Sequence, residues 1–208
     1  LLVAAGGHEI AAAERPLADG SSVVCAHAAD IYVHPAVRVG HVATIAVGDR
    51  AVELETLSVS PPVFRARGLW DEAELRAVRE LAAPGLEASR IGGKKMESNL
   101  KMRNSLSTFV GRLHGHEREG LLRSAATDSL QLRGARLARL GLAHAEPVQV
   151  VRYAHEGVYW HHTDWMRVQA TRSIRSVTVL CYLSDGFEGG ETNFPMAGHA
   201  GAPLSSKS

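Results

Sequence analysis

The run whose reading decides the fold begins after Pro147: Val148-Gln149-Val150-Val151-Arg152-Tyr153, then Val158-Tyr159 and His161-His162-Thr163-Asp164, then Ile174-Arg175-Ser176-Val177-Thr178-Val179-Leu180-Cys181-Tyr182-Leu183. Val148, Val150 and Tyr153 alternate with polar neighbours, and the 174–183 stretch is dense in β-branched residues, so this part of the chain is expected to form strands. Gly189-Gly190 beyond it fits a tight turn or bulge that redirects the chain.

Working outward toward the N-terminus, the pattern turns helical. Asp71 followed by Glu74 is a helix-opening arrangement in which each side chain satisfies a free backbone N–H. Leu75, Val78, Leu81 and Ala82 then fall on one helical face until Pro84-Gly85 stops the run. A second helical region is expected between about Glu117 and Leu140, segmented by Gly134 and Gly141. Further out, Ile45 and Val47 alternate with small residues, Gly48-Asp49 supplies a turn, and Val52 and Leu54 alternate with Glu53 and Glu55, the signature of a β-hairpin. Pro61-Pro62 punctuates, and Val63-Phe64 reads as a short strand. Helices before strands predict an α+β chain in which helices back a mostly antiparallel sheet. Residues 1–41 read as a loose Ala/Gly-rich arm, 42–195 as the folded body, and 196–208 as a flexible Gly/Ala/Pro/Ser tail.

Composition limits the function classes. The 208 residues carry 23 Lys+Arg against 22 Asp+Glu, a net charge of +1, which gives no electrostatic reason to expect nucleic acid or an anionic membrane as partner. No apolar run approaches the ~18 residues of a membrane span. The 2 cysteines, Cys25 and Cys181, cannot build a disulfide framework or a four-thiolate zinc site. The first residue is Leu rather than Met, so an N-terminal segment is expected to be missing.

The 11 histidines concentrate locally at His155, His161 and His162. On an extended ribbon residues i and i+2 share a face, so His162 and Asp164 project together while His161 points away. An imidazole and a carboxylate on one face can supply two corners of an octahedral iron site, leaving other positions open. Taken alone, His-x-Asp is equally a surface histidine beside an aspartate. His155, His114, His116 and His144 read as structural or surface residues.

The spacing of several further motifs is specific. Tyr153 stands nine residues before His162, Tyr182-Leu183-Ser184-Asp185 leads into Glu188-Gly189-Gly190-Glu191-Thr192-Asn193-Phe194-Pro195, and Arg103-Asn104-Ser105 lies upstream. With the entry Ser58-Val59-Ser60-Pro61-Pro62-Val63-Phe64, this set resembles the prolyl 4-hydroxylase family of iron(II)- and 2-oxoglutarate-dependent dioxygenases, over roughly Val52 to Pro195. The resemblance implies a double-stranded β-helix (jelly-roll) core supported by N-terminal helices. It implies an enzyme that hydroxylates peptidyl proline with Fe(2+), 2-oxoglutarate and L-ascorbate, acting on an extended proline-rich peptide in the endoplasmic reticulum. His162 and Asp164 match two iron ligands, and Tyr153 and Thr192 match residues that hold 2-oxoglutarate. Arg103, Ser105 and Arg175 match the substrate side. Tyr153 is otherwise a core tyrosine, and Thr192 an ordinary strand residue.

The family also calls for a later histidine as third ligand and a basic residue beyond it. Here the only candidates are His199 and Lys207, in a stretch without strand pattern. The last core strands and the third iron ligand are therefore expected to be missing and the activity of the chain impaired. The rival expectation is a non-catalytic module of the same fold that binds a peptide or a partner.

Overall fold

The computed structural model describes residues 34–89, 103–112, 121–162, 164 and 175–195, together with the backbone of short strands elsewhere. Three of those strands, β1 (Leu2–Ala4), β2 (Glu9–Ile10) and β3 (Val23–Cys25), form an antiparallel ladder in the order β2-β1-β3. The architecture of the described chain is α+β, with few helices and antiparallel sheets.

The expected hairpin is formed by β4 (Val42–Val47) and β5 (Arg50–Val59), closed between Val47 and Arg50. Gly48 takes a φ of 64°, the positive value a two-residue hairpin turn needs at its first central residue. Strand alternation sends Ile45, Val47, Val52 and Leu54 inward and Glu53 outward. The Val63-Phe64 stretch lies in β6 (Pro62–Arg67), which pairs with β5 to complete a three-stranded meander. Its inner face, with Leu69, forms one hydrophobic cluster, against which Phe64, Ala66, Trp70 and Leu137 pack.

Helix α1 (Glu72–Ala82) opens as the sequence predicts. Asp71 Oδ1 accepts from the Glu74 N–H at 2.9 Å, and the Asp71 N–H donates to Glu74 Oε2 at 3.1 Å. Ala83–Gly85 form one 3-10 turn and end it. Strands β7 (Glu87–Ala88), β8 (Leu106–Val110) and β9 (Val148–Arg152) make a second antiparallel sheet in that order. Both helices pack beside it: Val78, Ala82, Val110, Leu130 and Val150 form the second cluster, with Trp70 and Leu183 against it. Trp70 thus touches both clusters.

Helix α2 (Ala125–Leu137) corrects the expected segmentation, because Gly134 lies buried inside one continuous helix. The Ser124 hydroxyl accepts from the Thr127 N–H at 3.3 Å, and Thr127 Oγ1 accepts from the Ser124 N–H at 2.9 Å, so the start is a reciprocal cap. Gln131 on α2 fastens a loop pair: its amide donates to the carbonyls of Arg112 (2.8 Å) and Glu146 (2.9 Å) and accepts from the Arg112 N–H (2.7 Å). Glu74 ties α1 to α2, accepting from Ser129 Oγ and Arg133 Nη1 at 2.7 Å each. Burial alone would raise its carboxyl, but the bonds from Ser129, the Asp71 N–H and Arg133 together hold it below its ordinary range.

The long strand expected over 174–183 is a second correction. After the two-residue strands β10 (Arg167–Val168) and β11 (Ser173–Ile174), residues 175–191 run without ladder pairing until β12 (Thr192–Phe194), which pairs with β13 (Leu204–Ser206). β-Branched residues favour a pleated surface only where a neighbouring strand offers one. This segment is fastened by side chains instead. Arg79 Nη1 donates to the Leu183 carbonyl, and Leu183 packs on the second cluster.

Candidate metal and co-substrate site

The site is assembled where two segments distant in sequence lie side by side. Arg103 and Tyr159 form an antiparallel bridge at the edge of the second sheet. The Asn104 N–H donates to the Val158 carbonyl at 3.2 Å, and the Val158 N–H donates to Asn104 Oδ1 at 2.6 Å. A side-chain amide thus completes a pairing too short to be a strand. Arg103 is buried, at 6% exposure, and its Nε donates to Ser105 Oγ at 2.9 Å. Ser105 donates onward to Ser89 and Ser89 to Ser107, each at 2.9 Å. On its other side the Arg103 guanidinium lies 4.4 Å from the centroid of the Tyr159 ring. The same ring also touches His162, stacked at 3.9 Å between centroids with an interplanar angle of 22°.

His162 and Asp164 converge: Nε2 and Oδ1 lie 3.0 Å apart. No ladder carries them, because regular pairing with the 103 segment ends at Tyr159, so the extended ribbon expected there is only a bridge. Each side chain has an outer partner. His162 Nδ1 lies 2.9 Å from the Trp160 carbonyl, and Asp164 Oδ2 accepts from Thr178 Oγ1 at 2.8 Å. A carbonyl oxygen only accepts, so Nδ1 carries the hydrogen and a neutral ring turns the Nε2 lone pair toward the carboxylate. Two lone-pair atoms at that distance call for a cation, either a proton on Nε2 or a metal ion. Donors each ~2.1 Å from one ion and at right angles to each other stand ~3.0 Å apart, so the pair fits adjacent corners of an octahedral site. Outer hydrogen bonds that fix a histidine tautomer and a carboxylate are the usual support of metal ligands. Among the described residues no group of three metal-ligating side chains stands together. His199 and Lys207 lie outside the described residues, as do His114 and His116.

Tyr153 follows the end of β9 and is half-exposed. Burial raises its phenol above the ordinary value, with Arg103 and a hydrogen bond to Ser105 acting the other way, so it remains a protonated donor at neutral pH. Arg103, Ser105, Tyr153, His162 and Asp164 are therefore linked by direct or one-step contacts. Arg175 is engaged by Glu146 in a two-point ion pair, Nε–Oε1 at 2.5 Å and Nη2–Oε2 at 2.6 Å. That carboxylate holds its guanidinium above the ordinary value, with Asp164 and Tyr159 adding smaller contributions. Thr192 stands on β12, where its hydroxyl lies 2.9 Å from the Tyr182 hydroxyl and its N–H donates to the same oxygen at 3.1 Å. Cys181 is a protonated thiol, pushed up to about 11 by burial.

Sequence reasoning missed Tyr159, Thr178, Glu146 and Tyr182 as parts of this region. Tyr159 stood inside the motif run, but its role depends on Arg103, 56 positions earlier by number, and no local spacing signals a ring that touches both Arg103 and His162. Within residues 153–195, Trp160, Val179, Leu180 and Phe187 are exposed at 51%, 42%, 62% and 40%.

No family model matches the chain. Curated relatives do. Prolyl 4-hydroxylase 1 of Arabidopsis thaliana is 27% identical over 150 residues, covering 71% of this chain and 51% of the relative. Probable prolyl 4-hydroxylase 10 of the same plant is 31% identical over 149 residues, covering 69% of this chain and 48% of the relative. Prolyl 4-hydroxylase subunit alpha-1 of Bos taurus is 27% identical over 145 residues, 66% of this chain and 26% of the relative. The chain thus spans about half the length of the plant relatives it matches. These likenesses support a prolyl 4-hydroxylase family relationship.

Proposed function

We propose that this chain, related to the prolyl 4-hydroxylases, carries the iron and 2-oxoglutarate end of a dioxygenase that hydroxylates peptidyl proline. The observation that supports this reading most is the His162–Asp164 pair, 3.0 Å between donors, with each residue oriented by its own outer hydrogen bond. His162 and Asp164 would hold Fe(2+), and with 2-oxoglutarate the bound ion supplies the oxidising chemistry, ascorbate keeping it ferrous. The chain's own residues bind and orient. The Tyr153 phenol, still protonated, would donate to a 2-oxoglutarate carboxylate, and Thr192 on β12, beside the Tyr182 hydroxyl, would offer a second hydroxyl. Arg175, with Ser105, would belong to the side where an extended, proline-rich peptide docks; a polyproline II backbone suits an open face because it is ordered before it binds. The catalytic unit is 42–195, of jelly-roll type, preceded by 1–41 with its own β1–β3 ladder and followed by 196–208, whose β13 pairs with β12 rather than standing off as a loose tail. The family places such an enzyme in the endoplasmic reticulum; in this chain no helix of the described residues is long and apolar enough to cross a membrane.

Two donors hold Fe(2+) weakly, since iron(II) stands low in the divalent affinity order. A site made of His162 and Asp164 alone is therefore expected to turn over slowly. The test is Mn(2+) titration with and without 2-oxoglutarate. Co-substrate tightens metal binding in a working site, and His162→Ala abolishes both. A chain that binds a proline-rich peptide while ignoring metal and 2-oxoglutarate would be the non-catalytic module instead. Fast succinate release that His162→Ala leaves untouched would overturn the assignment of the ligand pair.

A further inference from the structure

Arg103 is the most deeply buried cation of the region, and its surroundings do not resemble a peptide-docking arginine. It is 6% exposed, its Nε is spent on Ser105, and among the described residues no carboxylate pairs with it. A buried charge needs compensation. The face of Tyr159 at 4.4 Å provides it, since a guanidinium over an aromatic ring is attracted more strongly when both are desolvated. The same ring is stacked on the His162 imidazole. Tyr159 therefore joins Arg103 to His162 in one column of contacts, and the column is anchored at its base by the one-way hydroxyl relay from Ser105 through Ser89 to Ser107.

We propose that Arg103 is a positioning residue that acts through Tyr159: the guanidinium pins the phenol ring, and the pinned ring sets the plane of the His162 imidazole so that Nε2 faces Asp164. The Nδ1 bond to the Trp160 carbonyl fixes one point of the imidazole but leaves rotation about that bond; the stack removes it. Arg103 is thus part of the metal-holding framework and not of the peptide surface. The column itself stands on geometry alone; its consequence for metal binding rests on the reading of His162 and Asp164 as ligands given above.

The experiment compares the full chain with Arg103→Met, Arg103→Lys, Tyr159→Phe and Tyr159→Leu, reading Mn(2+) binding from the free-ion electron paramagnetic resonance signal and the His162 Hε1 shift by NMR without metal. The expected result is Mn(2+) binding roughly tenfold weaker in Arg103→Met and Tyr159→Leu, the scale of lost outer support at a metal site. Tyr159→Phe keeps the ring and binds as the parent does, and Arg103→Lys, which keeps the cation, recovers most of the loss. The Hε1 resonance, shifted upfield by the stacked ring, moves downfield in Arg103→Met as in Tyr159→Leu. Unchanged Mn(2+) affinity and an unmoved Hε1 resonance in Arg103→Met overturn the proposal, and a loss confined to peptide affinity returns Arg103 to the substrate side. If the parent chain binds no Mn(2+), the ligand reading fails and the Hε1 shift alone decides the column. If Arg103→Met does not fold, the contrast between Tyr159→Phe and Tyr159→Leu carries the same decision.

Discussion

The meander and capped helices of residues 42–89 and 121–152 are held mainly by backbone ladders and buried apolar faces, whereas residues 153–195 are held mainly by side chains. In the first region, with the β8 strand of residues 106–110 that completes its second sheet, Val52, Val78 and Val110 are fully buried, and every long strand has a paired neighbour. In the second, the described residues between Tyr159 and Thr192 hold only two-residue strands, and their fixed points include side-chain bonds such as Thr178 to Asp164 and Arg79 to the Leu183 carbonyl. The difference teaches how the labour is divided: one part supplies stability, and the other arranges polar groups at little cost to it.

Three changes probe that division. Leu130→Ala, which empties a position 5% exposed in the second cluster, is expected to cost about 2–5 kcal/mol in urea unfolding, with one transition seen by circular dichroism and tryptophan emission. Two separated transitions would mean that the scaffold is itself two independent pieces. A smaller effect is expected at Asp128, whose carboxylate accepts from Arg112 at 2.9 Å and Arg123 at 3.1 Å. The Arg112 bond chiefly, with Arg123, holds its carboxyl at about 2 against an ordinary 3.8, outweighing a burial effect in the other direction. A carboxyl lowered in the folded state stabilises above the unfolded value, and that contribution fades as pH falls from 3.8 toward about 2. Asp128→Asn should therefore flatten the pH dependence of unfolding in that window, by a modest amount because solvent screens the pair. Smallest of all, Asp164→Ala is expected to alter the unfolding free energy by less than about 0.5 kcal/mol, since its carboxylate is half-exposed. A loss comparable to that of Leu130→Ala would show that the site segment bears the fold after all.

What could be read from the sequence divides along the same line. The hairpin turn at Gly48-Asp49 and the Asp71/Glu74 cap were legible because each is a local arrangement, complete within a few residues. The Ser124 cap was not, because Thr127 stands where a glutamate or glutamine signals the box, and Gly134 was given a segmenting role although the helix runs straight through it. The 174–183 strand failed for want of a partner, which composition does not reveal. At the site, His162 and Asp164 stand together as a pair two apart, but without the strand the spacing argument assumed, whereas Tyr159 and Thr178 acquire their contacts only through residues brought from elsewhere.

Trp70 packs against both hydrophobic clusters, and its indole Nε1 is buried without a hydrogen-bond partner among the described residues. The ring works as a keystone whose polar corner is left unfed: the protein retains the large flat surface at the junction although the nitrogen is a liability there. Neither half can loosen without disturbing that one side chain, so its light emission is a built-in gauge of whether the meander and the helix-backed sheet still move as one body.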